Sequence, residues 1–88
     1  MGRQHKLMQR VLLGDSDRNI AFDELRALLL WLGFEERIRG SHHLYRKPGI
    51  RDKINLQRQG SQAKPYQVRQ VRAVLLEYRL GGQDDAEV

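Results

Sequence analysis

The stretch FEERIRGSHHLYRKPG, residues 34–49, decides the fold that the sequence predicts. Residues 34–38 and 42–47 have the two-residue period of β-strands. Phe34, Glu36 and Ile38 share one side of the first run, and in the second Leu44 lies opposite His43, Tyr45 and Lys47. Gly40-Ser41 separates the two runs as a turn signal. A third alternating run follows at residues 54–56, after a second turn signal at Pro48-Gly49. The three runs predict an antiparallel meander with one apolar face and one polar, basic face.

Helical patterns lie on both sides of this meander. An apolar stripe predicts a helix from residue 21 or 22 to residue 32, and Gly33 ends it. A last helix begins at Pro65, a favoured first helical residue, and is expected to end at Gly81. A shorter amphipathic helix is predicted within residues 1–13. The apolar stripe of the helix that ends at residue 32 consists of Phe22, Leu25, Leu28, Leu29 and Leu32.

The order of these elements predicts an α+β fold, with a three-stranded antiparallel sheet, two helices on its apolar face and an extra N-terminal helix. We divide the chain into an N-terminal extension (1–19), one domain (20–81) and an acidic tail (82–88). Leu30 and Trp31 lie off the apolar stripe of their helix, so something must cover them. The N-terminal helix and a partner protein are both candidates.

Composition limits the class of protein. A chain of 88 residues allows one small domain. It contains no cysteine, which excludes disulfide scaffolds and thiol nucleophiles and fits a reducing compartment. No apolar run approaches the roughly 18–20 residues that span a bilayer, and residues 1–13 lack the apolar block of a signal peptide. We therefore expect a cytoplasmic protein with no membrane partner.

Charge indicates the partner. The sequence has 16 Lys and Arg against 11 Asp and Glu, a net charge of +5. Residues 37–79 hold eleven basic and two acidic side chains, so the excess lies in the strands and the last helix. Such a concentration favours a polyanion, and nucleic acid is the commonest one. A solvated basic surface with no ligand is the alternative.

The turn Gly40-Ser41-His42-His43 is where titratable groups meet this basic region. A histidine near neutral pH can take the proton of a ribose 2′-hydroxyl, which then attacks the adjacent phosphate. Nearby arginine or lysine would offset the charge that develops on that phosphate. Alternatively, both histidines are ordinary strand residues. They cannot chelate one metal ion together, because neighbouring strand residues point to opposite faces, so we expect no metal.

Three stretches resemble one known family when taken in order: LGF at 32–34, GSHHLY at 40–45 and AKPYQVRQVR at 63–72. Over about residues 20–80 the sequence resembles the HicA toxins, which are RNA-cleaving proteins of toxin–antitoxin systems. The resemblance is to a longer subgroup of that family. The resemblance implies a fold like the double-stranded-RNA-binding domain. It also implies metal-independent cleavage of messenger RNA without a cofactor, arrest of translation, and neutralisation by a HicB-type antitoxin.

The resemblance places the catalytic histidine at His42, or at His43 where members have an additional residue before the histidine. Strand alternation leaves both open: it turns Leu44 and His42 toward the helices and His43 toward the open face with Tyr45. Shorter members carry a proline and a second histidine where this chain has residues 55–60, NLQRQG. Without that histidine, water or a lysine is left as the general acid.

The remaining candidate residues would bind the RNA. Two tyrosines could stack on bases or simply pack, and two arginines of the last helix could grip a phosphate or form a solvated face. A non-catalytic RNA-binding module of the same fold is the rival interpretation, and an adaptor that binds only protein is a weaker one. The RNA-binding candidates are Arg37, Arg39, Ser41, Tyr45, Arg46, Lys47, Lys53, Lys64, Tyr66, Arg69 and Arg72.

Overall fold

The computed structural model of the protein describes residues 2–80. The elements follow the predicted order, with three helices and a three-stranded sheet, which confirms the α+β class. The last helix ends four residues before Gly81, and both Gly81 and the predicted acidic tail lie outside the described residues. The elements are α1 (Arg3–Leu13), a 3₁₀ turn (Asp17–Asn19), α2 (Phe22–Trp31), β1 (Glu35–Arg39), β2 (His42–Arg46), β3 (Ile54–Gln57) and α3 (Pro65–Glu77).

The sheet is a simple meander in the order β1-β2-β3, with both pairs antiparallel. Arg39 pairs with His42 across the first hairpin, which leaves Gly40 and Ser41 as a two-residue loop. Gly40 has φ +58° and Ser41 does not have a positive φ. That combination is the one a type II′ turn requires, and its twist matches the flanking strands.

The faces of β2 are the reverse of those predicted. Tyr45 and His43 are buried on the helix side, with 0% and 6% of their surface exposed. They pair with Ile54 and Leu56, which are also buried. Leu44 is half-buried on the opposite, open face. The prediction was wrong because the larger tyrosine ring, rather than Leu44, fills the space between sheet and helices.

The N-terminal helix belongs to the core. Leu7, Met8 and Val11 are buried in the same apolar cluster as the residues of α2, the sheet and α3. The helix contacts both α2 and α3. It does not cover Trp31 fully: His5 packs edge-on against the indole at 5.7 Å between ring centroids, yet Trp31 remains 49% exposed.

A partly buried ion pair joins α3 to the segment after α1. The Arg72 guanidinium donates to both carboxylate oxygens of Asp17, at 2.9 and 3.1 Å, and to the Val11 carbonyl at 3.0 Å. Gly14 ends α1 with φ +82°, and a Cβ there would lie 3.1 Å from Arg72 Nη1. Glycine therefore serves both the left-handed cap and the close approach of the guanidinium.

Across residues 2–80, none of the helices has the length and apolar character needed to cross a membrane.

Candidate nucleic-acid interface

His42 is exposed on the open face of the sheet, at the first position of β2. Its cross-strand neighbours are Arg39 on β1 and Gln57 on β3. Directly opposed residues of an antiparallel pair share a face, so these three side chains stand side by side. The imidazole is thus accessible to a ligand that lies across the sheet.

Three arginines of β1 and β2 lie on the same open face. Arg37 is opposite Leu44, and Arg46 is opposite Glu35, which supplies the one carboxylate of β1 on this side. Arg37, Arg39 and Arg46 are all exposed. They share the face with His42 and form a cationic row along the sheet, as the sequence predicts.

A groove of about 610 Å³ lies beside this row, between β1–β2 and the loop of residues 47–53. We call it the basic groove. It includes the predicted residue Lys53 and also Arg51, which the sequence-based interpretation counted in the charge but not among the site residues. The groove is lined by Glu35, Glu36, Arg37, Arg39, Leu44, Arg46 and residues 47–53.

His43 lies on the other side of the sheet, away from this surface. Its ring packs edge-on against Phe22 at 5.1 Å between centroids. Its Nδ1 atom is buried, 3.5 Å from Glu36 Oε2, and has no hydrogen-bond partner among residues 2–80. The interpretation of His43 as a base on the open face is therefore wrong, because the ring faces the helices.

Glu36 anchors a polar network on the helix side. Arg26 donates hydrogen bonds to the Glu36 carboxylate from Nε and from Nη2, and the Nη2 bond is 2.9 Å long. The Tyr45 hydroxyl donates to the same carboxylate at 2.7 Å. The hydrogen bond from Arg26 is the main cause that lowers the pKa of Glu36 to about 2. Burial, and then Glu36, raise the pKa of Tyr45. The predicted stacking of Tyr45 on an RNA base is wrong, since its ring is fully buried.

Arg58 is a residue that the sequence-based interpretation missed. Its backbone N–H donates to the Ser41 carbonyl at 2.9 Å, which ties the histidine turn to the end of β3. Its guanidinium pairs with Asp23 on α2 and lies 4.5 Å from the centre of the Phe22 ring. Arg58 thus joins the turn to the start of α2. Arg58 and Asp23 are 35 residues apart, so no local sequence pattern could predict that they pair.

The start of α3 is held at the same end of the sheet as His42. The buried Gln67 donates from Nε2 to the Gln57 carbonyl at 3.0 Å and accepts from the Lys64 N–H at 3.2 Å. Gln57 is the neighbour of His42, so this bond places the exposed Lys64 and Tyr66 beyond the β3 edge at the histidine end.

Two predicted phosphate ligands are directed elsewhere. Arg72 is bound to Asp17 and Val11, so the expectation that it grips a phosphate together with Arg69 is wrong; Arg69 itself is exposed. Lys47 is half-buried, and a Cβ on Gly33 would lie 2.7 Å from its Nζ atom. The ammonium therefore lies at the C-terminal end of α2, where a cation is favourable.

Comparisons with protein-family models, curated proteins and solved structures found no match to the chain.

Proposed function

We propose that the protein is an endoribonuclease toxin that cleaves messenger RNA and arrests translation. The observation that carries the proposal is the exposed imidazole of His42, which stands beside Arg39 in a row of arginines on an open sheet face. A phosphate backbone provides the charge that this face complements. Histidine is the side chain best suited to accept a proton at neutral pH.

In the proposed reaction, His42 removes the proton of a ribose 2′-hydroxyl. The 2′-oxygen then forms a bond to the adjacent phosphorus, and the bond from phosphorus to the 5′-oxygen breaks. The products are a 2′,3′-cyclic phosphate and a free 5′-hydroxyl, whose proton comes from water. Arg39 stabilises the negative charge that develops on the phosphoryl oxygens. The step needs no metal ion and no cofactor.

The element order α2-β1-β2-β3-α3 supports a fold like the double-stranded-RNA-binding domain, with α1 added. The resemblance to the HicA toxins supports a HicB-type antitoxin as the protein partner. Such a partner would carry acidic groups against the arginine row and mask His42.

The test compares expression of the wild type, His42→Ala and His5→Ala in bacteria, together with cleavage of RNA by the purified proteins. His5 is an exposed histidine on α1 and serves as the matched control. We expect growth arrest and cleavage with the wild type and with His5→Ala, and loss of both with His42→Ala. Cleavage that His42→Ala leaves intact would refute the assignment of the base.

His43→Ala belongs in the same experiment, with its stability measured. We expect this variant to be less stable because it removes the edge contact to Phe22. Its folded fraction should still cleave RNA.

A non-catalytic RNA-binding module is the second candidate. One observation favours it: among residues 2–80, no side chain hydrogen-bonds to His42 to orient its ring. Catalytic bases are often oriented by such a partner. Salt-dependent RNA binding by the wild type without any cleavage would establish this candidate instead.

A further inference from the structure

The basic groove combines an apolar floor with a cationic rim. Leu44, Pro48 and Ile50 supply the apolar surface, and Leu44 and Ile50 are half-buried. Pockets of about 300–1,000 Å³ accommodate small organic molecules, and the groove, at about 610 Å³, lies within that range. It therefore has the size for a nucleotide rather than for the broad surface of a duplex.

The charges of the groove favour a phosphate. Six basic and three acidic residues line it. The ammonium of Lys47 lies beside Gly33 at the end of α2, which leaves five basic side chains for the groove. The carboxylate of Glu36 is bound on the helix side by Arg26 and Tyr45, which leaves Glu35 and Asp52 to oppose the basic groups. Asp52 is flanked in sequence by Arg51 and Lys53. The rim thus has the sign that a nucleotide phosphate requires.

The groove is adjacent to the proposed catalytic base. Arg39 both lines it and pairs with His42. Leu44 follows His42 by two residues on the same face of β2, a distance of about 7 Å along a strand. A strand of RNA with its reactive 2′-hydroxyl at His42 can therefore continue into the groove.

We infer that the basic groove is a subsite for one unpaired nucleotide of the RNA, with its base against Leu44 and its phosphate on the arginine rim. The inference rests on the proposed function, since it assumes that RNA is the ligand. A base can reach a concave apolar surface only when it is unstacked, whereas duplex RNA is recognised by shape and backbone. The protein accordingly selects single-stranded RNA.

The test is fluorescence anisotropy with a labelled 10-nucleotide single-stranded RNA and with the same sequence as a duplex. Every protein carries His42→Ala so that the probe stays intact. Leu44→Ser removes the leucine part of the apolar floor without changing charge. Asn55→Ser is the matched control, because Asn55 pairs with Leu44 across the sheet but does not line the groove.

We expect Leu44→Ser to weaken single-strand binding roughly tenfold, as for loss of part of a buried leucine contact. Duplex binding should be weaker at the outset and unchanged by this substitution. Asn55→Ser should change either affinity less than twofold. Circular dichroism checks that both variants are folded, which we expect since both side chains lie on the open face.

The two proposals can fail separately. If wild-type protein cleaves RNA but Leu44→Ser binds single strands as tightly as its parent, the groove is not the subsite and the nuclease proposal stands. If Leu44→Ser loses tenfold in affinity but the wild type never cleaves, the subsite stands and the nuclease proposal fails. Equal losses in Leu44→Ser and Asn55→Ser, or preference for the duplex, would also overturn the subsite.

Discussion

Glu36→Gln tests the polar network beneath the sheet. The substitution keeps the shape of the side chain and removes the charge that Arg26 and Tyr45 contact. In the folded protein the pKa of Glu36 is lowered to about 2 from an ordinary value of 4.5. Each pKa unit corresponds to about 1.4 kcal/mol. If the whole shift contributed to stability, the charge of Glu36 would stabilise the fold by about 3 kcal/mol.

Solvent reduces this value. The Arg26 side chain is 34% exposed, although that of Glu36 is only 12% exposed. We therefore expect Glu36→Gln to lower the free energy of unfolding at pH 7 by about 1–2 kcal/mol. For a domain of this size, each kcal/mol lost lowers the melting temperature by about 4–8 °C.

The dependence on pH follows from the direction of the shift. A carboxyl group with a lowered pKa stabilises the fold fully above its unfolded value, and the stabilisation is lost as pH falls through the folded value. The wild type should thus lose the contribution of Glu36 between about pH 5 and pH 2. The difference between wild type and Glu36→Gln should shrink over the same range.

The assay is urea denaturation of both proteins at pH 7, 5 and 3, with Glu35→Gln as the matched control. Glu35 is the neighbouring carboxylate in β1 and is exposed, so its substitution should change stability by less than about 0.5 kcal/mol. Parallel stability curves for wild type and Glu36→Gln at all three pH values would refute the reasoning.

Three further outcomes are expected. Arg72→Ala leaves Asp17 without its partner in a site where both side chains are less than 20% exposed, so it should cost about 2–4 kcal/mol in urea denaturation; Arg69→Ala should cost less than about 0.5 kcal/mol, and equal losses would contradict the assignment. Tyr45→Phe removes the hydroxyl that Glu36 accepts and should cost about 1–2 kcal/mol, whereas Tyr66→Phe, on an exposed ring, should leave the melting temperature unchanged. Removal of divalent metal with EDTA should leave RNA cleavage by the wild type undiminished, and restoration of a lost activity by added Mg²⁺ would refute the proposed chemistry.

The order of elements could be predicted because local signals specify it. The apolar stripe and Gly33 mark α2, Pro65 marks the start of α3, and Gly40-Ser41 marks the first hairpin. Each of these signals lies within a few residues of the element it defines. The concentration of basic residues, and with it the prediction of a cationic face, is likewise a property of the sequence alone.

The face of each β2 side chain could not be predicted, although its period could. Leu44 and Tyr45 are neighbours, and alternation requires that one of them faces the helices without specifying which. Tyr45 occupies the buried position, where its ring fills the space between sheet and helices and its hydroxyl donates a hydrogen bond to Glu36. The same choice buried His43 and exposed His42, so the position of the candidate base depends on this packing.

The partners of the charged side chains also depended on the tertiary structure. Arg72 pairs with Asp17, which is 55 residues away in the sequence. Arg39 is also an arginine, but it is exposed on the open face. The sequence by itself determined the number, type and order of the elements, because backbone geometry sets their periods over a few residues. Only the tertiary structure decided which histidine and which arginines face a ligand, because burial and ion pairing depend on contacts between residues far apart in the chain.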